Sequence, residues 1–440
     1  MLKKNDIITV VISDLGSEGE GVSKFNEYVV FVPYALIGER INVKVLKVKG
    51  NIVFAKIVKI LTRSSERVEA VCPQFFRCGG CQLQHLSYEG QLKLKREIVK
   101  NNIKKIAKLD FDVACCLPSE KQYGYRNKMQ LPVGSEGMGF YASNTHTIVP
   151  ISSCPLHEEW ATKVIEIVYS YIKLYNIACY NEESKKGAIR HIVCRFLQQK
   201  LMLVIVSAVD KLENSNYLIE RLSREFASFS LYLNYNNKDT NVVMGEKFTL
   251  IYGDSEQQID VDGLSYSVSP QSFLQVNTSV QNKIYFFVQN ECCDYDYVID
   301  AYSGAGLLSA LIAKKSKEVY GIEIVPSATE NANKLAKNNN ITNLKNINGD
   351  CAIELPKLIT TLSGKGAVVL DPPRKGCDEK VLRAIMECNI EKIVYISCNS
   401  ATLARDINIL KENYNLTSVV PYDMFPNTKH VETVVVLNRK

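Results

Sequence analysis

The chain has 440 residues, of which 46% are hydrophobic and 23% are charged, and its formal net charge is +6. This composition excludes a disordered chain, and the length exceeds what one hydrophobic core usually organises, so we expect two or three domains. The mildly basic charge permits an anionic partner, and no apolar run approaches the roughly 18 residues of a membrane span.

The first residues, MLKKNDIITVVISDLGSEGEG, carry acids where a signal peptide has small residues at its cleavage site. We therefore expect a cytoplasmic protein. The cytosol keeps thiols reduced, so the 14 cysteines are not expected to form a disulfide framework. We expect them instead to bind a metal, to react or to pack in the core.

Residues 6–60 alternate apolar and polar positions, in runs such as IITVVI, YVVFVPY and INVKVLKV with glycine-containing breaks between them. This pattern predicts a small antiparallel β-barrel of the OB type over residues 1–62. Such barrels often carry a basic groove for nucleic acid. The segment supplies Lys44, Lys47, Lys49, Lys56 and Lys59. A solvated strand face explains these lysines equally well.

The segment QLKLKREIVKNNIKKIAK, residues 91–108, predicts a helix with one apolar stripe and with seven basic residues against one acid. A solvated face is the default interpretation, but so many like charges on one helix favour contacts with phosphate groups. The rest of residues 63–265 mixes helical and strand patterns. We interpret residues 63–265 as a mixed α+β middle domain whose topology the sequence does not define.

From residue 266 to residue 440 short apolar runs alternate with helical patterns. The strand candidates include YVIDAYSG, EVYGIEI, GAVVLDPP, EKIVYISC and ETVVVLNR, and segments such as LLSALIAKK and ATLARDINILKEN predict the helices between them. This alternation predicts a doubly wound, mostly parallel α/β sheet, which binds ligands at the carboxyl ends of its strands. The side chains near such ends are Asp300, Glu323, Asp350, Asp371 and Cys398. One ligand crevice is therefore expected.

The DAYSGAG segment has the small residues that allow a backbone to approach a ligand closely. It lacks the third glycine of the dinucleotide fingerprint, and an ordinary turn is the alternative. Glu323 ends the next strand, where a carboxylate can hold a ribose diol. The two prolines after Asp371 predict a rigid turn against the crevice. A glycine-rich loop followed by Lys and Ser or Thr is absent, which argues against nucleoside triphosphate chemistry.

Together, VIDAYSGAG, YGIEI, NGD, VVLDPPRKG and YISCNSATLARD resemble the S-adenosylmethionine-dependent methyltransferase domain of the RNA uracil-5-methyltransferase family. The cofactor contacts that this resemblance implies are Gln275, Tyr302, Glu323, Asp371 and, less strongly, Asp350. The chain departs from the family at Ala301, where members often carry Leu. Enzymes that methylate exocyclic base nitrogens usually have an aromatic residue after the two prolines. Arg374 at that position argues against this neighbouring class.

Methylation at carbon 5 of uracil needs a nucleophile, because this carbon does not attack a methylsulfonium unaided. A thiolate that adds to carbon 6 activates carbon 5, and a base must then remove the carbon 5 proton. Cys398 is the predicted nucleophile, at a strand end before a helix N-terminus that would favour its thiolate. The resemblance makes Glu432 the base, with a pKa raised by burial. The alternatives are a packing cysteine and a solvated carboxylate.

A second group of cysteines lies in CPQFFRCGGCQLQH and ISSCPLH, at Cys72, Cys78, Cys81 and Cys154. Four thiolates suit zinc, but zinc ribbons usually have two close CxxC pairs, and a cysteine followed by proline is familiar in iron–sulfur sites. Part of the family carries a [4Fe–4S] cluster on this pattern, so the resemblance implies a cluster, with zinc as the alternative. We expect the cluster to be structural, since methyl transfer requires no redox step.

The N-terminal barrel resembles the TRAM domain that accompanies this family, which favours RNA binding over a solvated face. The sequence thus predicts a monomeric enzyme that makes 5-methyluridine in structured RNA, with the target uridine taken out of its stack. Family members with a TRAM domain and a cluster act chiefly on large-subunit (23S) ribosomal RNA and some on transfer RNA, so ribosomal RNA is the first choice. The alternatives are a non-catalytic RNA-binding protein, a redox-sensing iron–sulfur RNA binder, and a methyltransferase for a base nitrogen or a cytosine.

Overall fold

The structure, a computed structural model, describes residues 2–388 and 390–440. Within these ranges the chain forms a six-stranded sheet, a seven-stranded sheet, a two-stranded hairpin and a second seven-stranded sheet. No helix in these ranges is both long and apolar enough to span a membrane. The division at residues 62 and 265 stays a prediction.

The strands of the N-terminal sheet are β1 Ile7–Val11, β2 Asp14–Leu15, β3 Gly21–Phe25, β4 Tyr28–Val32, β5 Arg40–Lys49 and β6 Ile52–Thr62, in the order β1-β5-β6-β4-β3-β2. Their inward side chains, among them Val30, Ile41 and Val53, form a separate apolar core. Strands β4 and β6 are parallel, so the prediction of a wholly antiparallel barrel is wrong for this pair. The connection after β4 skips one strand position, which β6 then fills.

The middle part contains α1 Tyr88–Asn102 with a π-helical turn Ile103–Ala107, then β7 Lys128–Gly134, β8 Gly137–Tyr141, β9 Ile148–Pro150, α2 Glu159–Leu174, β10 Ile189–Leu197, β11 Lys200–Ser207, α3 Ser215–Glu225, β12 Ser228–Tyr235 and β13 Lys247–Tyr252. Its strand order is β13-β12-β11-β10-β7-β8-β9, with β11 and β12 parallel. The apolar faces of α2 and α3 pack on this sheet around Val164, Leu203 and Leu222. A hairpin, β14 Gln257–Val261 and β15 Leu264–Val268, follows.

The C-terminal elements are α4 Thr278–Glu291, β16 Tyr297–Ala301, α5 Leu307–Ala313, β17 Glu318–Glu323, α6 Pro326–Asn338, β18 Leu344–Asn348, α7 Cys351–Ile359, β19 Gly366–Leu370, α8 Glu379–Glu387, β20 Ile390–Ser397, α9 Ser400–Leu410, β21 Tyr414–Tyr422 and β22 Glu432–Arg439. The strand order is β18-β17-β16-β19-β20-β22-β21, and the sheet is parallel except for the two pairings of β22. Apolar clusters cover both faces. The predicted doubly wound α/β sheet is confirmed, and its strand order reverses between β16 and β19, where such folds bind ligands.

Helix α1 carries the basic segment that the sequence analysis associated with phosphate groups, but two of its cations are used inside the protein. The Lys95 ammonium is fully buried and pairs with the fully buried carboxylate of Asp423, and it also donates to the Phe425 carbonyl. The Arg96 guanidinium donates to the Val113 carbonyl at 2.7 Å. The expected phosphate contact is therefore wrong for Lys95, which instead fixes α1 against the C-terminal sheet.

Replacing Lys95 is expected to destabilise the protein, because Lys95→Met leaves the Asp423 carboxylate buried without its partner. The expected loss in the free energy of unfolding is about 3–5 kcal/mol, measured by urea denaturation followed by circular dichroism. The double variant with Lys95→Met and Asp423→Leu is expected to recover most of it. Arg383→Met, which removes an exposed ion pair on α8, is the control and should leave the midpoint unchanged. An unchanged midpoint for Lys95→Met would contradict this role of the pair.

Candidate active site

The carboxyl ends of β16, β19 and β20 lie side by side in the C-terminal sheet. Ala301 pairs with Leu370, and Leu370 pairs with Tyr395. The residues that follow these strands therefore face the same edge of the sheet, as expected for parallel strands. Asp371 leaves the sheet one residue after Leu370, and Cys398 follows the last residue of β20.

The loop after β16 is shaped for close approach of a ligand. Tyr302 has a left-handed backbone with φ +68°, which is uncommon outside glycine. Gly304 has φ +55°, and in the described part of the chain nothing lies within 4 Å of the position that a Cβ would take there. The Gly304 amide donates to the Glu323 carboxylate at 3.0 Å, and the Val325 amide donates to its other oxygen at 2.8 Å. Glu323 thus fixes the loop and lies beside open space.

Acidic side chains accumulate at this edge. Asp300, inside β16, is 1% exposed and accepts a 2.5 Å hydrogen bond from Ser309. Burial, and then the charges of Asp371 and Glu323, raise the pKa of Asp300 to about 7, against the lowering effect of Ser309. Burial also raises the pKa of Asp371 to about 7. Several carboxyls that resist ionisation in one crevice indicate a functional site, because such an arrangement destabilises the fold.

Glu432 is brought to the same edge by the antiparallel direction of β22. Ser397 pairs with Thr433, so the register continues to Cys398 opposite Glu432. The Glu432 side chain is 2% exposed. Burial, and then the Asp371 charge, raise the pKa of the Glu432 carboxyl well above its usual range, while Arg374 lowers it. A thiol and a carboxyl with a raised pKa thus lie together at the end of β20.

The environment of Cys398 includes the predicted helix N-terminus and also groups from other elements. Asn399 caps α9, its side chain accepting from the amide of Ala401 at 3.1 Å, so Cys398 does precede a helix N-terminus. Burial and the Glu432 carboxylate raise the pKa of the Cys398 thiol, while Arg374 lowers it. Burial is thus the largest influence on this pKa, and Arg374 adds a positive charge that the sequence did not predict.

Two predicted cofactor residues have other contacts. The Asp350 side chain caps α7, accepting from the Ala352 amide at 2.9 Å. Gln275 lies in the loop between β15 and α4, where its carbonyl accepts from Asn127, and it lines a cavity of about 400 Å³. These contacts use the Asp350 side chain and the Gln275 backbone carbonyl. The cofactor roles of both residues remain predictions.

Three further residues had no predicted role, and two of them, Arg374 and Tyr285, lie near the site. Arg374 was read only as evidence against nitrogen methylation, although its position after DPP placed it at a strand end. Tyr285 on α4 gave no sequence signal; burial, followed by the charges of Asp371 and Asp300, raises the pKa of its phenol. Phe273, two residues before Gln275, is 74% exposed. An exposed aromatic ring of this kind can stack on a nucleobase.

Cys72, Cys78, Cys81 and Cys154 together line one cavity of about 450 Å³. The Gly80 amide donates to the Cys78 sulfur at 3.3 Å, and Arg126 and Lys128 line the same cavity. Across residues 2–388 and 390–440, no group of three or more His, Cys, Asp or Glu side chains is arranged to hold a metal ion.

Comparison with known proteins identifies the family. Residues 197–440 match the tRNA (Uracil-5-)-methyltransferase family, and residues 2–58 match the TRAM domain. An uncharacterised RNA methyltransferase of Clostridium tetani is 38% identical over 99% of this chain and 97% of its own length, and one of Bacillus cereus is 41% identical over 100% and 98%.

A solved structure has the same fold over nearly the whole chain. The Pyrococcus abyssi tRNA (uracil-54, C5)-methyltransferase in complex with S-adenosyl-L-homocysteine superposes with a TM-score of 0.80 at 29% identity. The match covers 98% of this chain and 99% of that one. Together with the family matches, it shows that the chain belongs to the tRNA (Uracil-5-)-methyltransferase family, as an S-adenosylmethionine-dependent RNA methyltransferase with an N-terminal TRAM domain.

Proposed function

We propose that the enzyme forms 5-methyluridine in 23S ribosomal RNA, with Cys398 as nucleophile and Glu432 as base. The register between β20 and β22 carries this proposal, because it sets a buried carboxyl beside a strand-end thiol. Carbon 5 methylation requires this pair of groups and no second acid. The reduced thiol fits the cytoplasm, where we expect the enzyme to act.

In the proposed reaction Cys398 activates the uracil, and Glu432 removes a proton from it. The Cys398 thiolate forms a bond to carbon 6, and the electron pair of the carbon 5–carbon 6 double bond moves to carbon 5. S-adenosylmethionine, when bound, would supply the electrophilic methyl group that carbon 5 takes up, with S-adenosyl-L-homocysteine as the group that leaves. Glu432 then accepts the carbon 5 proton, the double bond forms again, and the sulfur leaves carbon 6 as thiolate. The raised pKa of Glu432 makes it a stronger base than an ordinary carboxylate.

The crevice between β16, β17 and β19 fits the cofactor. The open space at Gly304 admits a ligand against the backbone, and Glu323 lies beside it as a hydrogen-bond acceptor. The acidic edge suits a ligand with positive charge. The side chains proposed to contact the cofactor are Gln275, Tyr302, Glu323, Asp350 and Asp371.

The N-terminal sheet supports RNA binding. Phe31 and Phe54 pair across β4 and β6, with ring centroids 5.9 Å apart, and Phe54 is 44% exposed. Lys47 and Lys56 are exposed on the neighbouring positions. Aromatic rings among lysines are typical of surfaces that bind single-stranded nucleic acid. Ribosomal RNA remains our first choice, and the transfer RNA specificity named for the Pyrococcus abyssi enzyme makes transfer RNA the second candidate.

We further propose that the cysteine cavity holds a structural [4Fe–4S] cluster. A cluster places several irons between its thiolates and needs a wider ring of sulfurs than one zinc ion does. The four cysteines share a cavity of about 450 Å³, which has room for such a group. An amide hydrogen bond to sulfur and the cations Arg126 and Lys128 would compensate thiolate charge. The long spacing of the cysteines and the proline after Cys154 are our reasons for proposing the cluster over zinc.

The covalent step is tested with total RNA in which 5-fluorouridine replaces uridine, incubated with the protein and S-adenosylmethionine. Fluorine at carbon 5 cannot leave as a proton, so a protein–RNA adduct should survive denaturation. Sequencing of the trapped RNA names the target and the position. Cys398→Ala should abolish trapping, and Cys115→Ser, which changes an exposed cysteine, should not. Reversible RNA binding without an adduct would contradict the nucleophile, and trapped transfer RNA would select the second candidate.

The pH dependence of methylation tests whether Arg374 lowers the pKa values of Cys398 and Glu432. Cys398 and Glu432 act deprotonated and both have raised pKa values, so the rate should rise with pH through neutrality. Arg374 lowers both pKa values. Arg374→Gln should therefore move the rising limb of the kcat profile about one pH unit higher. Lys375→Gln neutralises the next side chain and is the control. An unshifted limb in the Arg374 variant would contradict the proposed coupling.

The cluster is tested by metal analysis after anaerobic purification. We expect about four iron atoms and about four acid-labile sulfides per chain. Cys81→Ala should lower both, while Cys179→Ala should not. Chelation of the iron should weaken RNA binding and leave S-adenosylmethionine binding intact if the cluster is structural. Zinc in place of iron, or unchanged iron in Cys81→Ala, would contradict the assignment.

A further inference from the structure

Asn427 lies at the centre of the loop between β21 and β22, residues 423–431, which ends at Glu432. Its side chain is 0% exposed and its backbone has φ +68°. A buried asparagine in this conformation is held by its hydrogen bonds, because the left-handed region is unfavourable for most residues. The mechanism proposed above gives this residue no role.

The polar groups of Asn427 join three distant segments. Its carbonyl accepts from the amides of Gln82 and Leu83 at 3.1 and 3.0 Å, directly after Cys81. Its amide donates to the Gln91 side chain on α1 at 2.8 Å. Its side chain accepts from the Gln122 side chain at 3.1 Å and donates to the Gln122 carbonyl at 2.8 Å.

The rest of the loop is held in the same way. The Tyr125 hydroxyl donates to the Pro426 carbonyl at 3.1 Å, and the Asn277 side chain donates to the Met424 carbonyl at 3.2 Å. At the loop's ends, Tyr422 pairs with Glu432. The loop that leads into the base is therefore fixed from the cysteine loop, from α1 and from the segment before β7, and Asn427 is the residue that these segments share.

We propose that Asn427 is a positioning residue, which holds loop 423–431 and thereby Glu432 in register with Cys398. This inference rests on the proposed role of Glu432 as base. Its effect should appear after methyl transfer, at removal of the carbon 5 proton, because that step alone uses Glu432. A misplaced base lets the adduct form and gain its methyl group but delays release of the thiolate.

The consequence is a specific kinetic defect. Displacing a catalytic group by about 1 Å through a remote change can lower a rate by 10- to 100-fold. Asn427→Gly keeps the left-handed backbone accessible and removes only the side-chain bonds. We expect it to lower kcat by roughly 10- to 100-fold with little change in the KM for S-adenosylmethionine or in RNA affinity. The methylated covalent adduct should accumulate on ordinary uridine RNA.

The matched control is Asn340→Gly, in the same domain. Asn340 is exposed and also has a left-handed backbone, φ +55°. This variant makes the same chemical change and should leave kcat and the amount of adduct as in the unmodified protein. Glu432→Gln provides the positive reference, because it removes the base itself and should accumulate the same methylated adduct.

The outcomes distinguish the positioning role of Asn427 from the role of Glu432 as base. If the unmodified protein makes 5-methyluridine and Glu432→Gln accumulates adduct, but Asn427→Gly releases product at the normal rate, the positioning role is wrong. A slower Asn427→Gly that accumulates no adduct would also overturn it. Failure of Glu432→Gln to accumulate adduct would overturn the base assignment instead. Should Asn427→Gly not fold, Gln122→Met removes one partner of the same side chain and is expected to give the same adduct in smaller amount.

Discussion

The antiparallel direction of β22 is the constraint on which the site depends. In a parallel sheet the carboxyl ends of the strands meet at one edge, and the first residues of the strands lie at the other. Glu432 is the first residue of β22, so it reaches the edge of Asp371 and Cys398 only because β22 runs against its neighbour β20. The side chains at this edge therefore come from strands of both directions, and the hairpin of β21 and β22 brings Glu432, the proposed base, to it.

This arrangement buries several acids, and their burial lowers the stability of the fold. Asp300, Asp371 and Glu432 all have raised pKa values, and Asp371 raises those of the other two. Carboxyls of this kind remain neutral in the folded protein at pH values where the unfolded chain ionises them, so they weaken folding as pH rises from about 4 towards 7. A cationic ligand at this edge would offset the repulsion. The raised pKa values of these acids in the free protein therefore suit the positive charge of the cofactor that the family uses.

Much of the C-terminal fold could be predicted because buried parallel strands are apolar runs with a polar residue at the end, as in β16, β19 and β20. Strand β18 has mostly polar, half-exposed residues and was not predicted. Lys95 could not be interpreted from its own helix, because its partner Asp423 is 328 positions away. The direction of the Cys398 pKa was missed for a similar reason, since burial and a carboxylate from another strand decide it. The local sequence pattern reveals secondary-structure elements and candidate residues. The charge balance of a site depends instead on contacts between residues that are distant in the sequence and meet only in the folded chain.

Loop 423–431 connects these observations, because the N-terminal sheet, the cysteine loop and α1 all contact it. Lys429 pairs with Glu18 of the N-terminal sheet, Asn427 bonds to the cysteine loop, and Asp423 pairs with Lys95 of α1. A loop in an isolated methyltransferase sheet would lack these partners and would leave several buried polar groups unsatisfied. Glu432, our proposed base, is therefore joined to a loop that several distant segments hold, and Cys398, our proposed nucleophile, precedes α9, whose first residue Ser400 accepts from Asn102 of α1. On the proposed role of Asn427, removal of the carbon 5 proton depends on contacts from outside the C-terminal sheet, which reach Glu432 through loop 423–431.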